Sequence, residues 1–259
     1  MLSNRQAVPN GRQVKLLDFI IREHVKTAKP VGSSLIAKKT DFDLSSATIR
    51  NEMGELEKAG YLAQLHTSGG RVPTDKAYRY YVNQLLNKPI KIKPDEKDKK
   101  RINHTLSATY EDSRAINKAI ANILSECSGN LVIAGIASDA EFFKQGLVSL
   151  LRMPEFKGEF SNLFQLASFF EGFDAMFQAI EREFFHTLAG PSGLPIQILI
   201  GHENPFKQIR GETIMCTKYI LPGDIIGSLT LVGPTRMDYK KNISLINYTI
   251  NQLQKLNNT

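Results

Sequence analysis

Residues 44–74 read LSSATIRNEMGELEKAGYLAQLHTSGGRVPT, and the order of patterns in this stretch decides the fold of the first part of the chain. Ser45 or Ser46 can cap a helix that continues through ATIRNEMGELEKAG and ends at the glycine. The apolar run YLAQL follows directly, and a polar tip comes after it. Because glycine readily adopts φ > 0, Gly69 and Gly70 predict a tight turn between two short strands. The stretch therefore predicts a helix followed by a β-hairpin.

Two further helices are predicted upstream of this stretch. Residues 12–28 place apolar side chains at near-helical spacing among charged neighbours, and Pro30 ends the pattern. A second, shorter helix begins at Ser33. Three helices followed by a hairpin is the order of a winged helix-turn-helix, in which the third helix enters a DNA groove and the hairpin forms the wing.

The third predicted helix has two chemically different sides. At 100° per residue, Ile49, Met53 and Leu56 fall close together and form a buried stripe. Asparagine pairs bidentately with adenine, arginine pairs with guanine, and a methyl group can contact thymine. Side chains suited to contacts with DNA lie near the start of this helix, at Ser45, Ser46, Ala47, Thr48, Arg50 and Asn51. The alternative is an ordinary solvated helix face, where these residue types are also common.

The hairpin tip is the second candidate contact with DNA. Arg71 carries the only permanent charge in residues 66–74, and we expect it to be held out into solvent. There it could pair with a phosphate or enter a narrow minor groove. Other tip residues that we expect near phosphate are His66, Ser68, Gly69 and Gly70. The alternative is that the glycines only close a turn and that Arg71 is solvated.

The charge distribution favours an anionic partner for the first part of the chain. Residues 1–101 carry 20 basic and 11 acidic side chains, whereas residues 102–259 carry 13 and 15. Nucleic acid or an anionic membrane surface would match the basic part, and a merely soluble basic face is the third possibility. No apolar run approaches the roughly 18 residues that a membrane span requires, so we expect a cytoplasmic protein.

The remaining sequence predicts a second domain of mixed α and β structure. Residues 88–101 combine two prolines with dense charge, which is typical of a linker. We therefore predict a DNA-binding domain at 1–87, a charged linker at 88–103 and a regulatory or dimerisation domain at 104–259. In the last of these, strands are predicted at GNLVIAGIAS, LPIQILIGHE, ETIMCTKYIL and DIIGSLTLVG. The apolar stripe of the final helix either lies on the sheet or pairs with another subunit.

The sequence carries no recognisable catalytic constellation. Phosphate-loop, HExxH and GxSxG motifs are absent, and the five histidines are scattered. Cys127 or Cys216 with His202 could be imagined as a nucleophile and its base, but a cysteine of this kind is more often part of a core. We expect no enzyme activity, no cofactor and no metal.

Several motifs together resemble one known family. PVGS at 30–33, LSSATIRNEM at 44–53, LEKAGYL at 56–62, HTSGGRVPT at 66–74, MPEF at 153–156 and GPTRMDY at 233–239 are similar to the HrcA family of heat-inducible transcription repressors. The similarity spans nearly the whole chain. It implies a homodimer that binds an inverted-repeat DNA operator, the CIRCE element, and represses chaperone operons. It also implies that the chaperonin GroEL is a partner.

The resemblance also implies the fold of the second domain. Members of the family have a GAF-like domain with an inserted segment, and the chain is shorter than usual between the strand near residue 136 and MPEF. We therefore expect an α+β protein with an N-terminal winged helix-turn-helix domain and a reduced GAF-like domain. Because GAF-like sheets often hold ligands, a regulator that senses a small molecule is the alternative function. A filled apolar core would count against it.

Overall fold

The chain divides into two compact units, Met1–Gln84 and Leu85–Thr259, which we call unit 1 and unit 2. The computed structural model describes residues 9–40, 42, 44–65, 69–87, 93–110, 112–136, 141–157, 161, 163–173 and 196–258. Helices and strands occur in both units, which confirms the predicted α+β class. None of the helices in the described ranges combines the length and the apolar character that crossing a membrane requires.

Unit 1 begins with three helices, continues with a hairpin and ends with a fourth helix. Its elements are α1 (Gly11–Thr27), α2 (Ser33–Lys39), α3 (Ser46–Lys58), β1 (Leu62–Gln64), β2 (Arg71–Pro73) and α4 (Asp75–Leu86). The helices predicted from residues 12, 33 and 46 onward are confirmed, as is the hairpin.

Local capping explains where these helices begin and end. Asn10 and Gln13 form a reciprocal capping box at the start of α1. After α3, Gly60 adopts a positive φ of 78°, and the Tyr61 N–H donates to the Leu56 carbonyl at 2.9 Å. The chain therefore turns sharply out of α3 and enters β1.

The core of unit 1 is made of one apolar stripe from each helix and the start of β1. Burying each large aliphatic side chain contributes about 1.5–3 kcal/mol, so the stripes fix how the helices pack. The fully or nearly fully buried apolar residues are Leu16, Leu17, Ile20, Ile21, Val31, Ile36, Ile49, Met53, Leu56, Tyr61, Leu62, Ala77, Tyr78 and Val82.

The hairpin is anchored to the rest of unit 1 by backbone pairing. β1 and β2 are antiparallel, and Gln64 stands opposite Arg71. Arg71 is also bridged to Val31, with both of their N–H groups donating to the other's carbonyl at 2.9 Å. A Cβ atom on Gly70 would lie 2.5 Å from the Val31 carbonyl carbon, so only glycine fits there. We had attributed this glycine to a positive φ, but Gly70 does not have one and its role is close approach.

Unit 2 is built on a five-stranded antiparallel sheet with the strand order β4-β3-β7-β6-β5. Its elements are α5 (Glu96–Thr109), α6 (Ser113–Ser128), β3 (Leu131–Ile136), β4 (Glu141–Gln145), α7 (Leu147–Leu151), α8 (residues 163–173), β5 (Gln197–Ile200), β6 (Glu212–Leu221), β7 (Ile225–Pro234) and α9 (Tyr239–Asn257). The four strands predicted from sequence are confirmed. β4 was not predicted.

Helices cover both faces of the sheet. On one face, the hydroxyl groups of Thr213 in β6 and Tyr239 in α9 are hydrogen-bonded at 2.9 Å, and Tyr219 in β6 donates to Asn117 in α6. On the other face, an apolar cluster joins β3, β6 and β7 to α7 and α8. Its buried members are Leu131, Ile133, Leu150, Phe156, Leu166, Phe169, Phe173, Ile209, Ile214, Cys216 and Val232.

The charged segment after residue 88 is helical over part of its length. We predicted a linker to residue 103, but α5 begins at Glu96, after an N-cap in which the Asp98 N–H donates to Asp95. Asp98, Ile102 and Leu106 are buried on one side of α5, and most of its other charges form the outer side. The linker was therefore drawn too long, because these charges belong to an amphipathic helix. Residues 88–92 lie outside the described residues.

The final helix carries its apolar stripe inside unit 2. Tyr239, Ile243, Ile246, Ile250 and Leu253 are all buried within the single chain. Of the two predicted roles, the stripe therefore has the first, packing within the domain. It provides no free apolar surface for another subunit.

Two of the motifs that carry the family resemblance meet in unit 2. Glu155 of MPEF and Arg236 of GPTRMDY form an ion pair through two guanidinium nitrogens. A paired, planar Arg–carboxylate contact is geometrically specific. Both motifs thus have a structural role in joining the end of β7 to the segment that follows α7.

Candidate nucleic-acid interface

α3 presents one side to the core and the other to solvent, as its spacing predicts. The Thr48 N–H donates to Ser45 Oγ at 3.1 Å, so Ser45 is the N-cap. Ile49, Met53 and Leu56 are each at most 1% exposed. The buried stripe therefore fixes the orientation of α3 about its own axis, and the opposite side of the helix stays accessible.

The outward side of α3 carries two polar side chains that are available to a partner. Arg50 and Asn51 are exposed, and neither side chain has a hydrogen bond or ion pair with any residue that the structure describes. Ala47, one turn earlier, is also exposed. Together they offer an amide, a guanidinium group and a methyl group, which are the group types that recognise base edges.

The hydroxyl groups at the start of α3 already have partners inside unit 1. Ser45 Oγ lies 2.9 Å from Thr48 Oγ1, and Ser46 Oγ lies 3.0 Å from Ser33 Oγ at the start of α2. Ser45 and Thr48 therefore close the start of α3, and Ser46 connects it to the start of α2. A hydroxyl group keeps further acceptor capacity, so these contacts do not prevent a contact with phosphate.

All three carboxylates of α3 are paired with cations. Glu52 accepts from Arg12 at 3.4 Å and from Gln13 at 3.1 Å, both on α1. Glu55 pairs with Lys58 on α3 itself at 2.9 Å, and Glu57 pairs with a cation on β2. Because Lys58 pairs with Glu55, Arg50 is the charged α3 side chain without a partner among the described residues.

The cation on β2 that pairs with Glu57 is Arg71. Its Nε lies 2.7 Å from Glu57 Oε2, and the side chain is only 14% exposed. We expected Arg71 to be held out into solvent as a free charge, and that expectation was wrong. The Arg71 backbone is at the same time bridged to Val31, so β2 joins the segment before α2 to the side chain of an α3 residue.

The rest of the hairpin tip is described only in part. Gly69 is exposed, and Gly70 is half-buried against Val31. His66 and Ser68, which we also predicted to contact DNA, lie outside the described residues. The structure therefore brings Arg71 to α3 and leaves Gly69 at the accessible end of the hairpin.

The thiols do not form a reactive site in unit 2. Burial raises the pKa of both Cys127 and Cys216 to about 12, and for Cys127 the nearby Asp98 adds to the effect. Both thiols therefore stay protonated at neutral pH, whereas a nucleophilic cysteine needs a lowered pKa. Within the described ranges, no cluster of three or more His, Cys, Asp and Glu side chains suits a metal ion.

Comparison with known proteins places the chain in a family. The model of the HrcA protein C-terminal domain matches residues 71–243, well over half of the chain. The chain belongs to the HrcA family. A relative from Thermoanaerobacter pseudethanolicus, a heat-inducible transcription repressor HrcA, is 29% identical over 95% of this chain and 96% of its own length. The repressor of the same name from Acetivibrio thermocellus is 27% identical over 94% and 95% of the two chains.

The HrcA relatives are longer than this chain. The alignment with the Thermoanaerobacter pseudethanolicus repressor has 343 positions, 84 more than the 259 residues here, so at least that many positions have no residue in this chain. The chain is therefore a short form of the HrcA family. A crystal structure described as that of a hypothetical protein matches with a TM-score of 0.77 at 20% identity, covering 96% of this chain and 99% of that one. This likeness supports the overall α+β fold.

Sequence reasoning missed the residues that organise the candidate interface. Glu52 and Glu57 were given no role from the sequence, and their partners lie 40 and 14 residues away in the chain. Val31 was read only as part of a motif. The one available signal was the excess of carboxylates on a helix expected to approach DNA, because such charges require partners.

Proposed function

We propose that this chain is a non-enzymatic transcription repressor of heat-shock operons that binds DNA through unit 1. In this proposal unit 1 is a winged helix-turn-helix domain, α3 is its recognition helix, and β1 and β2 form its wing. The observation that carries the proposal is the outward side of α3, where the exposed Arg50 and Asn51 have no partner among the described residues, while every carboxylate of the helix is paired with a cation.

The contacts divide into two groups by chemistry. Ala47, Thr48, Arg50 and Asn51 read base edges in the major groove. The hydroxyl groups of Ser45 and Ser46, together with His66, Ser68, Gly69 and Gly70 of the hairpin, position the domain on phosphates. Arg71 was predicted to belong to the second group, and its role is taken up below.

The names of the relatives support the biological role. They are called heat-inducible transcription repressors, and repression by this chain would follow from steric occlusion of a promoter. We propose that the operator is an inverted repeat of the CIRCE type, that the chain binds it as a homodimer, and that unit 2 is a reduced GAF-like domain. The chaperonin GroEL is the proposed partner protein.

The small-molecule alternative receives little support from unit 2. The described part of the sheet is covered on both faces, and one face is filled by the large apolar cluster. A groove of about 530 Å³ beside the β6–β7 turn is open, and its Tyr110 and Asn257 side chains are hydrogen-bonded to each other at 3.1 Å. Two of its polar side chains are therefore satisfied by each other, whereas a ligand site needs polar groups that are free to converge on the ligand.

Selection of bound sequences from random duplex DNA tests the proposed function. The full chain should enrich an inverted repeat, because a two-fold symmetric dimer places two recognition helices on two half-sites. A variant with both Arg50 and Asn51 replaced by alanine is the control and should enrich no motif. Enrichment of a non-repeated site, or of none by the unaltered chain, would contradict the proposal.

A further inference from the structure

Arg71 and Glu57 form a fixed ion pair between the hairpin and α3. The pair is tight, at 2.7 Å between Arg71 Nε and Glu57 Oε2, and the arginine side chain is 14% exposed. The backbone N–H and carbonyl of Arg71 are both bonded to Val31, and Arg71 stands opposite Gln64 of β1 on its other side. With Gly70 packed against Val31 as well, the backbone from which the Arg71 side chain extends toward Glu57 is fixed.

Glu57 lies on the side of α3 that also carries Arg50. The two residues are seven positions apart, which at 100° per residue places them within about 20° of each other. At 1.5 Å per residue they are about 10.5 Å apart along the helix axis. That distance is close to the Debye length of roughly 8–10 Å in physiological salt, so an unpaired Glu57 would act on whatever Arg50 binds.

Glu52 shows the same arrangement with a different cation. It is only 18% exposed on its side chain and is held by Arg12 and Gln13 of α1. Two partly buried glutamates of α3 are thus each neutralised by an arginine from another element. Unpaired carboxylates at this surface would repel a polyanion, so the recurring pairing fits a surface that approaches phosphate.

We infer that Arg71 acts on DNA through Glu57, as a positioning residue that neutralises this carboxylate, and not as a ligand of phosphate. This inference rests on the proposed function, in which α3 enters the groove of duplex DNA. It replaces the role predicted from sequence, where Arg71 was a free cation on the wing. In its absence, Glu57 would present a negative charge two helical turns from Arg50.

A double-mutant cycle on the full chain separates the two roles, with the selected operator duplex as the probe. Arg71→Ala should weaken operator binding about tenfold, within the range of coupling found for contacting residues. Glu57→Gln alone should bind at least as well as the unaltered chain. The double variant should bind within about twofold of Glu57→Gln, because no carboxylate then needs neutralising. Arg71→Lys keeps the charge and should retain most of the affinity.

A matched control uses an ion pair that does not involve α3. Arg22 and Asp18 pair at 2.8 Å within α1, so Arg22→Ala removes the same charge from the same unit. It should change operator affinity by no more than about twofold. Circular dichroism at the binding temperature confirms that each variant is folded, which separates loss of binding from loss of structure.

Each outcome of the cycle is decisive. If the double variant stays as weak as Arg71→Ala, the arginine contacts DNA itself or fixes the hairpin, and the inference is wrong. It is equally wrong if Arg71→Ala binds normally, or if Glu57→Gln alone loses affinity while folded. If the unaltered chain binds no duplex DNA, the proposed function fails instead, and this result is recognised before any variant is compared.

Discussion

Asn51 is the α3 side chain with the clearest consequence for sequence recognition. Its carboxamide is exposed and lies away from the buried Ile49 and Met53. If it pairs bidentately with adenine, Asn51→Ala should lose about 1–3 kcal/mol of binding to the selected operator. Binding to random duplex should hardly change, because non-specific affinity comes from phosphate contacts. Titration of both duplexes at one salt concentration measures the difference.

The control for this prediction is Asn83→Ala, which removes an exposed asparagine from α4. It should leave both affinities unchanged. Because both positions are exposed and helical, neither substitution should reduce stability, since alanine is the better helix former. Equal losses by Asn51→Ala on operator and random DNA would show that this side chain does not specify sequence.

Residues differ in how far their roles can be predicted from sequence. The setting of Asn51 could be predicted, because it depends only on the helical period and on the apolar stripe of its own helix. The role of Arg71 could not, because Glu57 is 14 residues away and the two meet only through the path of the hairpin. Gly70 was predicted as a turn glycine, but the Val31 backbone that requires it is distant in sequence.

At the scale of elements, the first residue of β6 makes the stability of unit 2 depend on pH. Glu212 is 6% exposed, and burial raises its pKa to about 7 from an ordinary value of 4.5, partly offset by a hydrogen bond from the Gly211 backbone. The folded state therefore holds the carboxyl group neutral more strongly than the unfolded state does. This contribution to stability is fully present below pH 4.5 and is lost as the pH rises to about 7.

Replacing the carboxyl group with an amide should remove this pH dependence. Glu212→Gln should raise the free energy of unfolding at pH 8 by up to about 3 kcal/mol and change it little at pH 4, since one pKa unit corresponds to about 1.4 kcal/mol. Urea unfolding followed by circular dichroism at both pH values measures the effect. Glu171→Gln provides the control, because Glu171 is exposed. This substitution should change the free energy of unfolding by similar amounts at pH 4 and at pH 8. A difference that is the same at both pH values would show that folding does not raise the pKa of Glu212.

Elements were predictable where their own sequence carried the pattern. β3 is a continuous apolar run, and β6 and β7 are rich in apolar and β-branched residues because both faces of the sheet are covered, so all three are visible in sequence. β4 is a half-exposed edge strand, EFFKQ, and pairs only with β3. Neither alternation nor a continuous apolar run marks it, so its assignment depends on the partner strand. The start of α5, residues 96–103, was assigned to the linker for a related reason, because its buried side is narrow and its charges are dense.

At the scale of the whole molecule, the two units divide the proposed work. Unit 1 offers the outward side of α3, and unit 2 encloses the apolar stripe of α9 within its own core. The stripe was our sequence-based reason to expect a dimer, and its burial removes that reason. The proposed dimer now follows from the symmetry of an inverted-repeat operator, so the test must vary the operator and leave the chain unchanged.

The spacing between operator half-sites tests whether the chain binds as a dimer, in which the recognition helices of two subunits are linked. A dimer that docks on one face of DNA requires half-sites separated by whole helical turns of about 10–10.5 base pairs. Inserting about 5 base pairs into the centre of the selected operator rotates one half-site by half a turn, and affinity should fall at least tenfold, toward that of a single half-site. Inserting about 10 base pairs should recover part of the loss, since the half-sites again share a face.

Gel-shift titration of these duplexes with the full chain, alongside an isolated half-site, gives the comparison. If the insertion does not change the affinity, the chain binds each half-site as an independent monomer. The burial of the α9 stripe would then be the reason that no dimer forms.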